Sequence, residues 1–273
     1  MLVLPKFFLF SLLALLFAQN ATNPKQELND QLFEAVRRGD AAAVASLLDR
    51  GAEVNAKFRY GTTALFKAAE RGHADVVKIL LDRGADVTVK DTFYRATAMT
   101  WALDNDHAEV VRLLLEKDGS AVDDVLMNGV RESKEPLVKI ALDRGSAKPQ
   151  TLTVALAASE GNEKNAAILE LLKKAGAVPP PQIDAATLQS YAGKYKGEPG
   201  PELTILFKDG KLFLIGPTRE PVPLMGLDIT NFRPVAFDGL SFTFNVEGGN
   251  VTGLAFKQGP NTTQLKRVAE VKQ

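Results

Sequence analysis

The 273-residue chain has no cysteine and only two histidines, His73 and His107. The first absence excludes disulfide staples, thiol nucleophiles and thiolate zinc sites. With so few imidazoles, a metal cage would need carboxylates from separate segments, and no ligand spacing suggests one. Asp104, Asp106 and Glu109 crowd around His107, but the glycine turn of a calcium loop is missing. Asp123-Asp124 read as solvated or capping carboxylates. An excess of charge is absent too, since 33 basic residues balance 33 acidic ones. A nucleic-acid footprint needs a basic excess, so nucleic acid is not an expected partner. No Ser-x-x-Lys tetrad, Gly-x-Ser-x-Gly elbow or phosphate-cradling glycine loop occurs anywhere. These gaps describe a chain that is not an enzyme and takes no cofactor.

Long apolar runs are scarce as well. The exception is Phe7 to Phe17, preceded by Lys6 and followed by Ala18-Gln19-Asn20-Ala21. A bilayer span takes ~20 apolar residues, and this run is shorter. Its layout is that of a secretory signal peptide over residues 1–18, cleaved after Ala18; a retained signal anchor is the other reading. No cysteine follows it, which rules out a lipid anchor. The mature chain is expected to be exported, periplasmic or secreted, with no stable membrane span. Zero cysteines in an exported protein suggests a bacterial one, because eukaryotic extracellular domains commonly use disulfides.

What is present is a repeat. Asp49-Arg50-Gly51-Ala52 returns 33 residues later as Asp82-Arg83-Gly84-Ala85, and Arg38-Gly39-Asp40 returns as Arg71-Gly72-His73. A third copy runs through Asp106-His107-Ala108-Glu109-Val110-Val111. Leu137 to Gly145 forms a fourth, and Ile168 to Gly176 a fifth. Val76, Val77, Leu80 and Leu81 fall at helical spacing and build one apolar stripe. Gly84 follows the last turn, where a left-handed cap needs no Cβ. Only 26 residues separate Gly119 from Gly145, too few for a hairpin plus two helices, so repeat four is expected to lack its hairpin. Repeat five carries a small insertion around Asn162 to Asn165.

The segment Gly61-Thr62-Thr63-Ala64-Leu65-Phe66 through Gly84-Ala85-Asp86-Val87 resembles an ankyrin repeat almost position for position. It departs where the usual Thr-Pro-Leu-His reads Thr63-Ala64-Leu65-Phe66 and, one copy later, Thr97-Ala98-Met99-Thr100. The resemblance implies an α-helical solenoid over residues 19–178, of about five repeats with the last two degenerate, that binds a protein partner and carries no chemistry. Such partners meet the hairpin fingertips and the inner helices. The matching positions are Arg37 and Arg38 in repeat one. Repeat two offers Arg59, Tyr60, Thr62, Glu70 and Arg71; repeat three offers Phe93, Tyr94, Asp104 and Asn105. Phe93 and Tyr94 on one loop are the sharpest signal; the alternative is that Phe58 or Phe93 tucks beneath its own finger. Trp101 is expected to pack between repeats, and the histidines to bond at helix starts.

Val178-Pro179-Pro180-Pro181 ends the repeats, and residues 179–183 form a stiff spacer. Asp184 reads as the N-cap of a short helix. Beyond Gly193 the period becomes alternating. Leu203–Phe207 and Leu212–Ile215 flank the turn Asp209-Gly210, and further strands fall at 222–227, 231–235, 241–246, 251–257 and 263–268. Some seven strands suggest a small antiparallel β barrel or sandwich over residues 184–273, making the chain α + β in separate domains. Leu188-Gln189-Ser190-Tyr191-Ala192-Gly193-Lys194-Tyr195, Asp209-Gly210-Lys211-Leu212, Val251-Thr252-Gly253-Leu254 and Lys266-Arg267 resemble the small β domain found behind beta-lactamase-like serine hydrolases in bacteria. Its outline is also similar to lipocalin-like barrels. That leaves a second reading, in which the β domain binds an apolar molecule or an envelope component while the repeats tether it; side chains filling the interior are the simpler expectation.

Overall fold

A computed structural model describes residues 23–198, 200–216, 220–234 and 239–268. The segment expected to be a signal peptide and Val235, the expected end of one strand, lie outside them. The chain divides into two compact units, one up to Val125 and one from Leu126 on, and each is described by itself.

The first unit stacks helix pairs: α1 (Pro24–Arg38) with α2 (Ala41–Asp49), α3 (Ala64–Arg71) with α4 (Ala74–Asp82), and α5 (Ala98–Asp104) with α6 (Ala108–Lys117). Starts and stops follow from single residues. Pro24 opens α1 behind Asn23, whose side chain accepts from the Lys25 N–H. Thr63 and Thr97 cap α3 and α5 through their hydroxyls, so the missing proline of the motif costs neither helix its start. Gly39 and Gly72 end α1 and α3 in the left-handed region, and Asp106 takes that conformation after α5. Ala68 and Ala69 are fully buried, as are Val76, Val77 and Leu80. Each large side chain withdrawn in this way is worth roughly 1.5–3 kcal/mol, and a single pair could not bury its stripe alone.

The two histidines do not bond at their own helix starts. His73 Nε2 lies 3.4 Å from the Arg37 carbonyl and His107 Nε2 lies 3.1 Å from the Glu70 carbonyl. Each ring thus bridges back to the preceding repeat, across the glycine that ends its first helix. The hairpin fingers are tied in the forward direction, because Asn55 Nδ2 donates to the Gly84 carbonyl at 3.1 Å and Asn55 Oδ1 accepts from the Asp86 N–H at 2.9 Å.

After α6 the fingers stop. A single 3-10 turn, Gly119–Ala121, leads into α7 (Val122–Arg131), within which the two units divide. In the second unit α8 (Glu135–Arg144) packs close to α7 at Gly129, where a Cβ would sit 2.8 Å from Val138. α9 (Pro149–Ser159) and α10 (Ala166–Lys174) follow, with a 3-10 turn at Glu163–Asn165. That turn is the insertion expected from the sequence. Only residues 145–148 join α8 to α9, so repeat five has no finger either, which its near-normal length concealed.

The barrel begins with α11 (Ala185–Tyr191), capped by Asp184. Eight antiparallel strands then run in sequence order and close on themselves: β1 (Gly193–Lys196), β2 (Glu202–Lys208), β3 (Lys211–Ile215), β4 (Pro221–Gly226), β5 (Asn231–Pro234), β6 (Leu240–Glu247), β7 (Asn250–Gln258) and β8 (Asn261–Arg267). The additional strand is β1, which pairs β2 on one side and β8 on the other and so closes the sheet. Asp209 and Gly210 take positive φ in the β2–β3 turn, as do Gly248 and Gly249 in the β6–β7 turn.

Side chains fill the interior. The Tyr191 ring stacks on Phe244 at 4.2 Å, and Phe232 and Tyr195 meet Phe244 edge-on at 5.4 and 5.9 Å. Tyr191 donates to the Ile229 carbonyl and Tyr195 to the Tyr191 carbonyl. Burial pushes the Tyr195 phenol up to about 12. Arg267 on β8 donates to the Ser190 and Ala192 carbonyls at the end of α11, lying against Gly193 where a Cβ would crowd its guanidinium. The Ser-Tyr-Ala-Gly-Lys-Tyr motif and the terminal arginine are therefore one device that locks the plug helix onto the barrel. An interior packed with aromatic rings leaves the apolar-ligand reading without support.

Candidate functional site

The fingers before α3 and α5 end in two adjoining loops. In the first, Phe58 N–H donates to the Thr62 carbonyl at 2.8 Å and Tyr60 is held at φ 60°. A bulky residue rarely occupies this left-handed region, and such outliers concentrate at functional sites. In the second, Asp91 Oδ1 accepts three backbone N–H groups, from Phe93 at 2.8 Å, Tyr94 at 2.5 Å and Arg95 at 3.1 Å. The Thr92 N–H donates to the Tyr60 carbonyl at 2.9 Å and ties the two tips together.

Together they display a chain of rings. Tyr60 lies 6.2 Å from Phe93, Phe93 meets Tyr94 edge-on at 4.6 Å, and Tyr94 meets Trp101 of α5 at 6.2 Å. The Arg59 guanidinium sits over the Tyr60 ring at 4.7 Å. Tyr60, Phe93 and Tyr94 are 52, 68 and 69% exposed; among the described residues these three are the aromatic members of the exposed large hydrophobic set. They line a groove of about 280 Å³ with Thr62, Asp91 and Trp101. A second groove of about 300 Å³, beyond Tyr94, is bounded by Arg95, Thr100, Trp101 and Asp104.

Of the residues expected from the sequence, Tyr60, Thr62, Phe93 and Tyr94 share the first groove, Asp104 borders the second and Arg59 stacks on the rim. The rest do other things. Arg37 pairs with Glu34, Glu70 pairs with Lys67, and Asn105 turns back to the Trp101 carbonyl. Arg71 is exposed at the end of α3. Arg38 faces the concavity between α1 and α2, where Glu27, Asp30 and Glu34 meet Arg38 and Arg50; this is the polar face a terminal repeat requires. Phe58 is half-buried, its ring tilted against Phe33 of α1 at 4.2 Å, whereas Phe93 is exposed.

Two residues of the groove were not nominated from the sequence. Trp101 is half-buried, with its indole N–H enclosed on the side of Asp91; it stands 34 residues after Lys67, a polar-face position, and that offset marks it as more than packing. Asp91 is buried beneath the loop it organises. Burial alone would raise its carboxyl, but the N–H groups of Tyr94, Phe93 and Arg95, helped by Trp101, hold it below the ordinary aspartate range. A depressed folded-state value means that Asp91 stabilises the loop above the unfolded value and loses that effect only as pH falls through the folded one. Fluorescence of Trp101, the chain's single tryptophan, should therefore stay native through the usual aspartate range and change below it. In Asp91→Asn that acid step should vanish.

Residues 32–125 match the family model of ankyrin repeats in three copies. That stretch contains both fingertips and ends where fingers cease. Its repeats are of a protein-binding, typically non-enzymatic class. No curated protein matches the chain. Among the described residues no cluster of histidine, aspartate or glutamate could hold a metal ion, and no helix is long and apolar enough to cross a membrane.

Proposed function

We propose that the chain is an exported, non-enzymatic adaptor that docks a protein partner on the paired fingertips of repeats two and three. The observation that carries this reading is the exposure of Tyr60, Phe93 and Tyr94 side by side on loops held rigid from beneath. Tyrosine and tryptophan are favoured interface anchors because they bury large area and keep a polar handle. Residues 1–18 serve as the export leader in this reading, 19–178 as the repeat domain, 179–183 as linker and 184–273 as the β domain. The barrel is read as one of the small β domains that follow bacterial serine hydrolases, on its sequence motifs Leu188 to Tyr195, Asp209-Gly210-Lys211-Leu212, Val251-Thr252-Gly253-Leu254 and Lys266-Arg267.

The test compares full-length protein with a Tyr60→Ala/Tyr94→Ala variant in affinity capture from envelope extract. The variant should weaken capture of the specific protein by at least about a hundredfold, as two hot-spot truncations of roughly 1.4 kcal/mol or more each would. Its melting temperature should be unchanged, since both rings are exposed. Equal capture by both proteins would sink the proposal.

A further inference from the structure

The fingertip groove has an unusual lining for a purely apolar contact. Four rings, Tyr60, Phe93, Tyr94 and Trp101, surround it, and Asp91 is the charged residue among its walls. Ring faces carry negative electrostatic potential and attract cations. The groove shows this behaviour already on its rim, where the Arg59 guanidinium rests 4.7 Å from the Tyr60 centroid. No basic side chain is among the residues that line the groove. The volume of about 280 Å³ lies at the lower edge of the roughly 300–1,000 Å³ of small-molecule sites and is enough for one long side chain.

The geometry points to a basic side chain of the protein partner, lysine or arginine, as the group that enters this groove, lying against the rings with its charge toward Asp91. The inference rests on the fingertips being the docking surface and names the chemistry that surface selects. The aromatic walls take up the aliphatic stem, while the ring faces hold the cationic head in the field of the Asp91 charge beneath them. Asp91 keeps its charge for this role because its hydrogen bonds come from the backbone and need no proton of its own.

Short blocked peptides test it: acetyl-Gly-Arg-Gly-amide, acetyl-Gly-Lys-Gly-amide and the norleucine peptide, which has the stem without the charge. Each is titrated at constant ionic strength into the full chain while the single indole N–H resonance of Trp101 is followed by NMR. The basic peptides should shift that resonance saturably, about fivefold or more tighter than norleucine, and the preference should shrink with added salt. Asp91→Asn keeps an oxygen for the three N–H groups but removes the charge, and should cut the preference to the part that the rings supply. Tyr94→Leu, which leaves the Asp91 loop bonds in place, should reduce it even if Asp91→Asn disturbs the loop. An equal response to norleucine, or no response to any peptide, overturns the inference. Either result leaves the capture experiment to be decided separately, because a partner bound through apolar contacts would still be lost with Tyr60 and Tyr94.

Discussion

Replacing Phe244 by alanine is expected to destabilise the barrel by about 3–5 kcal/mol, the range for removing a buried phenylalanine ring. Phe244 is 2% exposed and touches three other rings at once, stacking on Tyr191 and meeting Tyr195 and Phe232 edge-on. Its loss also removes the support of the Tyr191 ring, whose hydroxyl holds the Ile229 carbonyl at 2.8 Å. Phe244→Leu should cost much less, because most of the volume remains. Urea unfolding followed by far-ultraviolet circular dichroism measures both. A loss under about 1 kcal/mol for alanine would mean that the interior collapses onto the gap, and that the ring stack is not a fixed structure.

The second large effect should come from the smallest side-chain addition in the repeats. Gly72→Ala places a Cβ 2.5 Å from His107 Nδ1 on a backbone held at φ +73°. The left-handed conformation alone costs an L-residue roughly 1–2 kcal/mol. The clash cannot be relieved cheaply, since the His107 ring is hydrogen-bonded to the Glu70 carbonyl. Together these should destabilise the repeats by about 3 kcal/mol. Gly84→Ala separates the two contributions: φ is +84° there and nothing lies within 4 Å of the added carbon. It should show the conformational part only. Adding His107→Ala to Gly72→Ala should bring the variant back toward that smaller value, and thermal melting of the three proteins checks the ordering.

How much of this could be read from the chain depends on the range over which each residue acts. The helix pairs were legible because Gly39, Gly72 and the apolar stripes act within one turn and recur at a fixed interval. The barrel strands were legible from alternation and from Asp209-Gly210, but β1 was not. Its four residues are too few to alternate convincingly, and they form a strand because β2 and β8 pair with both of their edges. The missing finger of repeat four showed in its length; that of repeat five did not, because the extra turn at Glu163–Asn165 restores the count. At the fingertips the exposed aromatics could be named from the repeat pattern. Asp91 and Trp101 could not be assigned so directly, since their roles depend on a loop folding back over one and a neighbouring ring leaning on the other. The histidines were placed at the correct repeat position but given the wrong bond, because the carbonyls they reach are 36 and 37 residues away.

The three N–H groups gathered by Asp91 and the Thr92–Tyr60 bond have a consequence for the rate of recognition. A binding loop that must fold on contact loses conformational freedom at that moment, at a cost of about 0.5–1.5 kcal/mol for each side chain immobilised. In the proposed docking the backbone of both tips is already tied down, so a partner would meet a preorganised edge and have only its own segment to order. Association should then be governed by encounter and orientation, with no slow loop-closing phase, and differences between partners should appear chiefly in how fast they leave.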